Sequence, residues 1–255
     1  MLKHRVIPTL LLSGGGLVKT RKFANPSYVG DPINAIRIFN DKEVDELIVV
    51  DIEASKLGRE PDYKLIEEFA SECFMPLTYG GGVKTPEQAA RLFSLGVEKV
   101  CIHSAALEDL NLISEFSGRF GAQSVAVSVD VRRNLFGSLR LYNAVNKKNC
   151  PENWLDYLQR VQLAGAGEIL LNAVHKDGTL TGPDLEMIKA ASVKLSIPLI
   201  AMGGVASLTD IKSVVESGAD AVAAGAFFVY HGRHRAVLIS YPKYHELELL
   251  FKGNK

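Results

Sequence analysis

Three aspartates stand at or near the ends of apolar segments of strand length, where a carboxylate can act as a general acid or base. Asp51 closes the run LIVVD, Asp130 lies in SVAVSVDV, and Asp177 belongs to HKDGT. Asp51 has a second interpretation of nearly equal weight, because a strand-end aspartate also caps the loop that follows it. For Asp130 the second interpretation is an ion pair with Arg132 or Arg133.

Two glycine pairs have the placement of loops that bind phosphate. Gly81-Gly82 and Gly203-Gly204 each follow an apolar run and precede a helix start, where backbone N–H groups and the helix dipole favour an anion. A single pair would indicate only a tight turn. Because the pair recurs, we predict two phosphate sites, which Ser104 on one side and Gly225-Ala226 on the other would complete.

Alternating strands and helices must position these residues. Eight apolar runs alternate with helical patterns, which predicts a parallel sheet. The segment PLTYGGGVKTPEQAARLFSLGVEKV also aligns without gaps on PLIAMGGVASLTDIKSVVESGADAV, each with a helix cap and a C-terminal glycine. Such a duplication predicts one (β/α)₈ TIM barrel over 1–255, with half-barrels at about 1–120 and 121–240 and a C-terminal helix to 255. An open doubly wound sheet is the alternative, but SGGGLVK lacks the dinucleotide spacing.

Composition narrows the classes of function. The chain has 255 residues, with 29 Lys+Arg balancing 29 Asp+Glu, so neither a nucleic-acid groove nor an anionic membrane surface is indicated. No apolar stretch approaches the length of a transmembrane helix. Three cysteines without metal-type spacing suggest free thiols in the cytoplasm. His231 and His234 could in principle hold a metal, but their polar, arginine-rich surroundings favour a solvated role, and we expect no metal or cofactor. His175 lies near the predicted mouth and could contact a substrate.

One position that could be expected to carry an acid is apolar. When the first strands of the two halves are aligned, RVIPTLLL on SVAVSVDV, Leu11 falls opposite Asp130. A twofold barrel that holds a ligand with two phosphates could be expected to place two carboxylates across its mouth. This chain supplies only Asp130 of that pair.

Over nearly its whole length the chain resembles the cyclase subunit of imidazole glycerol phosphate synthase. The resemblance rests on LVK at 17–19, GDP at 30–32, DELIVVDIEAS, GGGV, KVCIHSAA, GAGEILL, DGT and GGV. It implies a substrate with two phosphates and ammonia delivered through the barrel from a glutaminase partner at the bottom face. It implies that Asp130 is catalytic and that Lys19 belongs to a loop closing over substrate. It implies that Gly82, Ser104, Asp177, Gly204 and Ala226 lie in the phosphate sites. The full set of predicted substrate and phosphate positions is Asp51, Gly81, Gly82, His103, Ser104, Asp177, Gly178, Gly203, Gly204, Gly225 and Ala226.

Three departures from that family concern the site itself. The family's first catalytic aspartate falls on Leu11, a phosphate-site asparagine on His103, and a phosphate-site serine on Ala226. The tail HGRHRAVLISYP also differs. Together these features resemble a branch encoded with bacterial surface-polysaccharide genes, in which the barrel and its glutaminase supply ammonia for an amidine-bearing sugar, with a separate amidotransferase-like protein.

Four charged residues stand immediately before strand runs and should form one ring at the bottom of the barrel. They are Arg5, Glu46, Lys99 and Glu168. A stabilising ion cluster is one interpretation, because bottom-face residues usually serve stability. The resemblance implies instead the gate through which ammonia enters, and it places Glu98 and Gln123 at the docking surface for the glutaminase.

Three functions therefore remain open. The first is an ammonia-using subunit of a glutamine amidotransferase acting on a sugar or nucleotide-sugar. The second is the cyclase-lyase of histidine biosynthesis, with another group in place of the missing acid. The third is a catalytically silent barrel that scaffolds and activates the glutaminase.

Overall fold

The computed structural model describes residues 4–134, 136–232 and 234–252. Its strands are β1 (Arg5–Ser13), β2 (Gly16–Arg21), β3 (Ala24–Gly30), β4 (Leu47–Asp51), β5 (Leu77–Gly80), β6 (Lys99–Ile102), β7 (Val125–Arg133), β8 (Leu139–Asn143), β9 (Lys148–Asn149), β10 (Glu168–Ala173), β11 (Leu199–Met202), β12 (Ala221–Ala224), β13 (Tyr230–His231) and β14 (Ala236–Val237).

The helices surround the strands and follow them along the chain. They are α1 (Pro32–Asp41), α2 (Tyr63–Ala70), α3 (Pro86–Ser94), α4 (Ser104–Glu108), α5 (Asn111–Phe120), α6 (Trp154–Leu163), α7 (Leu185–Ser192), α8 (Leu208–Glu216), α9 (Ala226–Val229) and α10 (Tyr244–Phe251). Within the described ranges no helix is long and apolar enough to cross a membrane.

Eight parallel strands close into a barrel within the described part of the chain, which confirms the predicted (β/α)₈ fold. The order around the ring is β1, β4, β5, β6, β7, β10, β11 and β12, and pairing of β12 with β1 completes it. β1 and β7, the first strands of the two halves, are therefore four steps apart and face each other across the barrel. β6 ends at Ile102 and β12 ends at Ala224, because short helices begin at Ser104 and Ala226.

The barrel interior is a separate apolar layer between its two ends. Alternate strand residues point inward, and the buried ones form a cluster distinct from the larger core between strands and helices. Inward-facing members of this cluster are Ile7, Ile48, Cys101, Ala126, Leu170, Ile200, Ala221 and Ala223. Trp154 lies in the outer core.

The helix caps of the repeat fix where the glycine loops end. Thr85 and Gln88 form a complete capping box at α3. In the second half Ser207 accepts a hydrogen bond from the Asp210 amide, but the Asp210 carboxylate bonds to Ala206 N instead of closing the box. Both loops therefore end at a capped helix N-terminus directed to the mouth.

Two antiparallel hairpins extend over the mouth from opposite sides. β1 runs on into β2 and β3, while β7 runs on into β8 and β9. Their aromatic side chains meet, with the ring centroids of Phe23 and Tyr142 6.4 Å apart. These hairpins cover the cavity at the ends of the barrel strands.

Candidate functional site

A large cavity opens at the C-terminal ends of the barrel strands, and it contains residues from both halves. Leu11 and Asp130 line it from opposite strands, as the alignment of the halves predicts. Several of the predicted substrate and phosphate residues also line it: Asp51, Gly81, Gly82, His103, Ser104 and Asp177. A smaller pocket adjoins it under the first hairpin, lined by Lys19, Asp177, Gly178, Gly203, Gly204, Gly225 and Ala226.

Asp130 is a buried carboxylate at the centre of the large cavity. Burial raises its pKa, while the nearby His103 imidazole and a hydrogen bond from Asn172 act in the opposite direction. The two neighbouring arginines are engaged elsewhere. Arg132 stacks over the Tyr142 ring and Arg133 pairs with Asp184, so the structure does not show the ion pair considered for Asp130. A buried carboxylate beside an imidazole is an arrangement that can transfer protons.

The loop glycines of the first half line the large cavity beside Ser104. Gly82 has φ +74, and its backbone N–H donates a hydrogen bond to the Ser55 hydroxyl at 3.3 Å. Lys56, Lys84 and Lys147 line the same cavity. Backbone N–H groups with lysines nearby form a suitable environment for a phosphate.

Asp51 adopts the capping role that the sequence offered as an alternative. Its carboxylate accepts hydrogen bonds from the amides of Glu53 and Ala54, at 2.8 and 3.0 Å. These bonds form the loop after β4, and the side chain also borders the cavity. Asp51 therefore lies at the edge of the cavity where substrate contact is predicted, and its carboxylate already accepts hydrogen bonds from the loop.

Asp177 holds the first hairpin down over the smaller pocket. Its carboxylate accepts a hydrogen bond from the Thr20 hydroxyl at 2.9 Å, and its carbonyl accepts one from Lys22 N. Gly178, with φ +64, lies so close to the Thr20 carbonyl that a Cβ there would clash. Burial raises the pKa of Asp177. The sequence predicts that Asp177 binds phosphate. The contacts that the structure shows for it instead hold the hairpin in place.

Lys19 projects from the hairpin into the smaller pocket. Its ammonium group donates a hydrogen bond to the Thr9 carbonyl and lies beside Gly225, where a side chain would collide with it. Burial lowers the pKa of Lys19 to about 8, which Asp177 only partly offsets. A buried cation between two glycine loops is unfavourable in the free protein and becomes favourable when an anion binds.

We therefore expect Lys19→Met to stabilise the free protein. A pKa lowered from 10.5 to about 8 means that the buried charge destabilises the folded protein by about 3 kcal/mol. Losing the hydrogen bond to Thr9 costs about 1 kcal/mol, so the free energy of unfolding should rise by about 2 kcal/mol at pH 7. The pKa of Lys19 is lower in the folded than in the unfolded protein. The destabilisation by its charge is therefore fully present below pH 8 and is lost as the pH rises towards 10.5.

Urea unfolding at pH 7 and at pH 10 measures this prediction. The gain should shrink at the higher pH, and Lys22→Met, at an exposed position of the same hairpin, is the matched control. A Lys19→Met protein less stable than the parent at pH 7 would show that Lys19 is a structural residue.

The four predicted gate residues close into one ring at the opposite end of the barrel. Arg5 pairs with Glu46 and, at 2.9 Å, with Glu168. Lys99 Nζ lies 3.1 Å from Glu46 and 3.0 Å from Glu168. Each cation thus touches both carboxylates, and Thr78 donates a further hydrogen bond to Glu46. Glu98 and Gln123 are exposed next to this ring, just before β6 and β7.

Among the described residues, His175, His231 and His234 do not come together in a second site. His175 Nε2 lies 2.8 Å from Asp184, outside the lining of both cavities, so the suggested substrate contact is not found. Although burial alone would raise it, the pKa of Asp184 is lowered to about 2 by its bonds from His175, the Met187 amide and Arg133. His231 and His234 are exposed, and no metal-binding group occurs among the described residues.

The sequence did not single out several residues that line the large cavity. Asn172 is buried, pairs in register with Asp130, and has an amide oxygen without a hydrogen-bond partner. Ser128 and Tyr142 come from β7 and β8. Strand alternation could have identified Ser128 and Asn172, since both share the inward parity of Asp130 and Glu168. Nothing in the local pattern indicates that β8 folds back over the mouth.

Comparison with known proteins agrees with this geometry. The family model described as "Histidine biosynthesis protein" matches residues 5–235. The chain is 50% identical over 250 residues to a Pseudomonas aeruginosa protein named "Putative imidazole glycerol phosphate synthase subunit hisF2", covering 98% of this chain and all of the relative. A Leptospira interrogans protein named "Putative imidazole glycerol phosphate synthase subunit HisF" is 49% identical over 256 residues, with 98% and 100% covered.

A more distant relative carries the same name without the qualifier. "Imidazole glycerol phosphate synthase subunit HisF" of Streptococcus sanguinis is 37% identical over 233 residues, covering 91% of this chain and 92% of the relative. Barrel, mouth residues and full-length similarity agree: the chain belongs to the HisF family of histidine biosynthesis proteins.

Proposed function

We propose that this chain is the ammonia-using barrel subunit of a glutamine amidotransferase, and that ammonia from a separate glutaminase enters at the bottom ring and reacts at the mouth. The observation that carries this proposal is the closed ring of Arg5, Glu46, Lys99 and Glu168. Apolar residues could fill a barrel floor at less cost, because burying four charges requires complete pairing.

The interior above the ring supports the same proposal. Ile7, Cys101, Ala126 and Leu170 separate the ring from the cavity that holds Asp130. Neutral ammonia enters an apolar passage far more readily than ammonium does, since an unpaired charge there would be strongly disfavoured. Such a passage would deliver the nucleophilic form of nitrogen to the mouth.

The acceptor that we propose is a phosphorylated sugar or a nucleotide-sugar, in the synthesis of an acetamidino sugar of a surface polysaccharide such as lipopolysaccharide O-antigen. The two glycine loops and Lys19 supply sites for phosphate groups. Leu11, His103 and Ala226 alter the family's mouth, which suggests altered chemistry. Sequence identity is also higher to the Pseudomonas aeruginosa and Leptospira interrogans proteins, whose names include the word "Putative", than to the Streptococcus sanguinis protein. A third, amidotransferase-like protein would complete the pathway step.

A second candidate is imidazole glycerol phosphate synthase activity in histidine biosynthesis, which the names of the relatives favour. In that case another group must replace the acid that Leu11 lacks. Neighbouring genes discriminate between the two: histidine genes favour this candidate, and polysaccharide genes favour the first. Free Cys73, Cys101 and Cys150 fit a cytoplasmic setting for either.

The glutaminase would dock on the bottom face. Glu98 and Gln123 are exposed beside the ring, so a partner seated there would cover the ring and join its own ammonia source to the barrel. Arg5, the most exposed member of the ring, would then be excluded from solvent. We propose this face as the partner interface.

Lys99→Ala tests the passage in the complete complex. Combined with Leu11→Asp, which should restore turnover of the histidine-pathway bisphosphate, Lys99→Ala is expected to remove more than half of the product formed from glutamine while product formed from ammonium salt is retained. The reason is that an incomplete ring lets ammonia escape before it reaches the mouth. Glutamine hydrolysis, product and free ammonia are measured together.

Arg37→Ala, which opens an exposed ion pair with Glu72 away from the ring, is the matched control. Unchanged stoichiometry between glutamine and product in Lys99→Ala would reject the passage and leave the ring a stabilising cluster. A complex in which the barrel stimulates the glutaminase but product forms from neither nitrogen source would identify the chain as a silent scaffold.

A further inference from the structure

His103 and Asp130 lie side by side in the large cavity, on neighbouring strands. Asp130 is in β7, and His103 follows directly after β6. His103 Nε2 is 3.3 Å from Asp130 Oδ2, and both side chains are largely buried. The sequence placed His103 among phosphate-binding residues, but the structure directs it towards the carboxylate.

The orientation of the His103 ring is fixed by the backbone. Nδ1 lies 2.9 Å from the Ser128 carbonyl oxygen. A carbonyl oxygen accepts and cannot donate, so Nδ1 carries a hydrogen, and Nε2 is the atom whose protonation can change. Nε2 is buried and has no well-aligned hydrogen-bond partner among the described residues. The ring is therefore held with its exchangeable nitrogen towards Asp130.

The surroundings favour one proton shared by this pair. Leu11 and Met202 line the cavity. Besides His103, the polar groups that act on Asp130 are Asn172, through a hydrogen bond, and the Asp177 carboxylate, whose negative charge raises the pKa of Asp130. A buried carboxylate without a cation is costly, and His103 is the partner nearest to it. Other ionisable side chains that line the cavity are Asp51, Lys56, Lys84, Cys101, Tyr142, Lys147 and Asp177.

We propose that His103 and Asp130 form one proton-transfer couple on their side of the cavity, in which His103 protonates the acceptor oxygen, while the opposite side at Leu11 stays without an acid. This inference rests on the proposed function, because it concerns addition of ammonia to an acceptor in the cavity. The acceptor class is a compound with a carbonyl carbon. Ammonia forms a C–N bond to that carbon while the carbonyl π electrons move to oxygen, which takes the Nε2 proton of His103. The new ammonium nitrogen gives a proton to Asp130.

Loss of water completes a balanced cycle. The protonated Asp130 gives its proton to the hydroxyl group, the C–O bond breaks as water leaves, and the nitrogen lone pair forms the C=N bond. The resulting iminium gives one proton to His103. Carbonyl compound and ammonia have then become imine and water, and His103 and Asp130 have returned to their starting states.

The titration of Asp130 decides whether the couple exists, independently of the acceptor. In protein labelled with ¹³C-aspartate, His103→Asn is expected to raise the pKa of Asp130 by at least one unit, because a cationic neighbour of the carboxylate is lost. ¹⁵N-histidine spectra should show Nδ1 of His103 protonated at every pH from about 5 to 9. His175→Asn, in the other His–Asp pair, should raise the pKa of Asp184 and leave Asp130 unchanged.

An unchanged pKa of Asp130 in His103→Asn, or a deprotonated Nδ1, would overturn the inference. Turnover of ammonium salt and the histidine-pathway bisphosphate over hours tests the role of the couple: His103→Asn should lower kcat at least tenfold with KM within twofold. A raised KM with unchanged kcat would make His103 a phosphate ligand and would also overturn it. Fast turnover by the parent chain would contradict the proposed function, and the Asp130 titration would still decide this inference.

Discussion

Leu11→Asp is expected to increase ammonia-dependent conversion of the histidine-pathway bisphosphate by roughly 10²–10⁴-fold, the usual contribution of a positioned general acid. The parent chain should convert this substrate slowly, because Leu11 cannot transfer a proton. Leu11 is on β1, lines the same cavity as Asp130 and faces it across the barrel. An aspartate there would recreate two carboxylates across the mouth.

Leu11→Asn is the matched control, since it has the shape of aspartate without an ionisable group. Both variants are compared with the parent chain in initial-rate assays with ammonium salt in place of glutamine. A parent chain as fast as Leu11→Asp would mean that the missing acid is already fully replaced and would favour the histidine-pathway function. Equal gains in Leu11→Asp and Leu11→Asn would assign the effect to polarity instead of proton transfer.

Glu46→Ala is expected to lower the free energy of unfolding by about 3–5 kcal/mol, the cost of breaking a buried ion pair by removing one partner. Glu46 is 2% exposed and bonds to Arg5, Thr78 and Lys99. Without it, two cations share the single carboxylate of Glu168. Urea unfolding at neutral pH provides the measurement.

Glu72→Ala removes a carboxylate from an exposed pair with Arg37 and should have a far smaller effect, because solvent screens that pair. The double variant Glu46→Ala with Arg5→Ala should recover part of the loss, since it also removes one of the unbalanced cations. A loss for Glu46→Ala no larger than that for Glu72→Ala would show that water solvates the ring, and the argument from buried charge would fail.

The sequence by itself determined the architecture. All eight barrel strands appear as apolar runs, because parallel strands covered on both faces need apolar residues throughout. The gapless match between the halves indicated where the loops, caps and strand ends recur, and the alignment of their first strands placed Leu11 opposite Asp130. The ring of Arg5, Glu46, Lys99 and Glu168 was also readable, because residues before parallel strands must meet at one end of a barrel.

Only the tertiary structure decided what the side chains at the mouth touch. Asp51 and Asp177 have similar positions in the sequence, yet Asp51 caps its own loop and Asp177 binds a hairpin that begins about 160 residues earlier. The sequence predicts that His103 contacts a phosphate. In the structure its ring is directed towards Asp130, because Nδ1 is bonded to the Ser128 carbonyl on β7. The physical reason is that periodicity fixes which residues face inward, whereas their partners depend on the closure of distant strands and hairpins around the barrel.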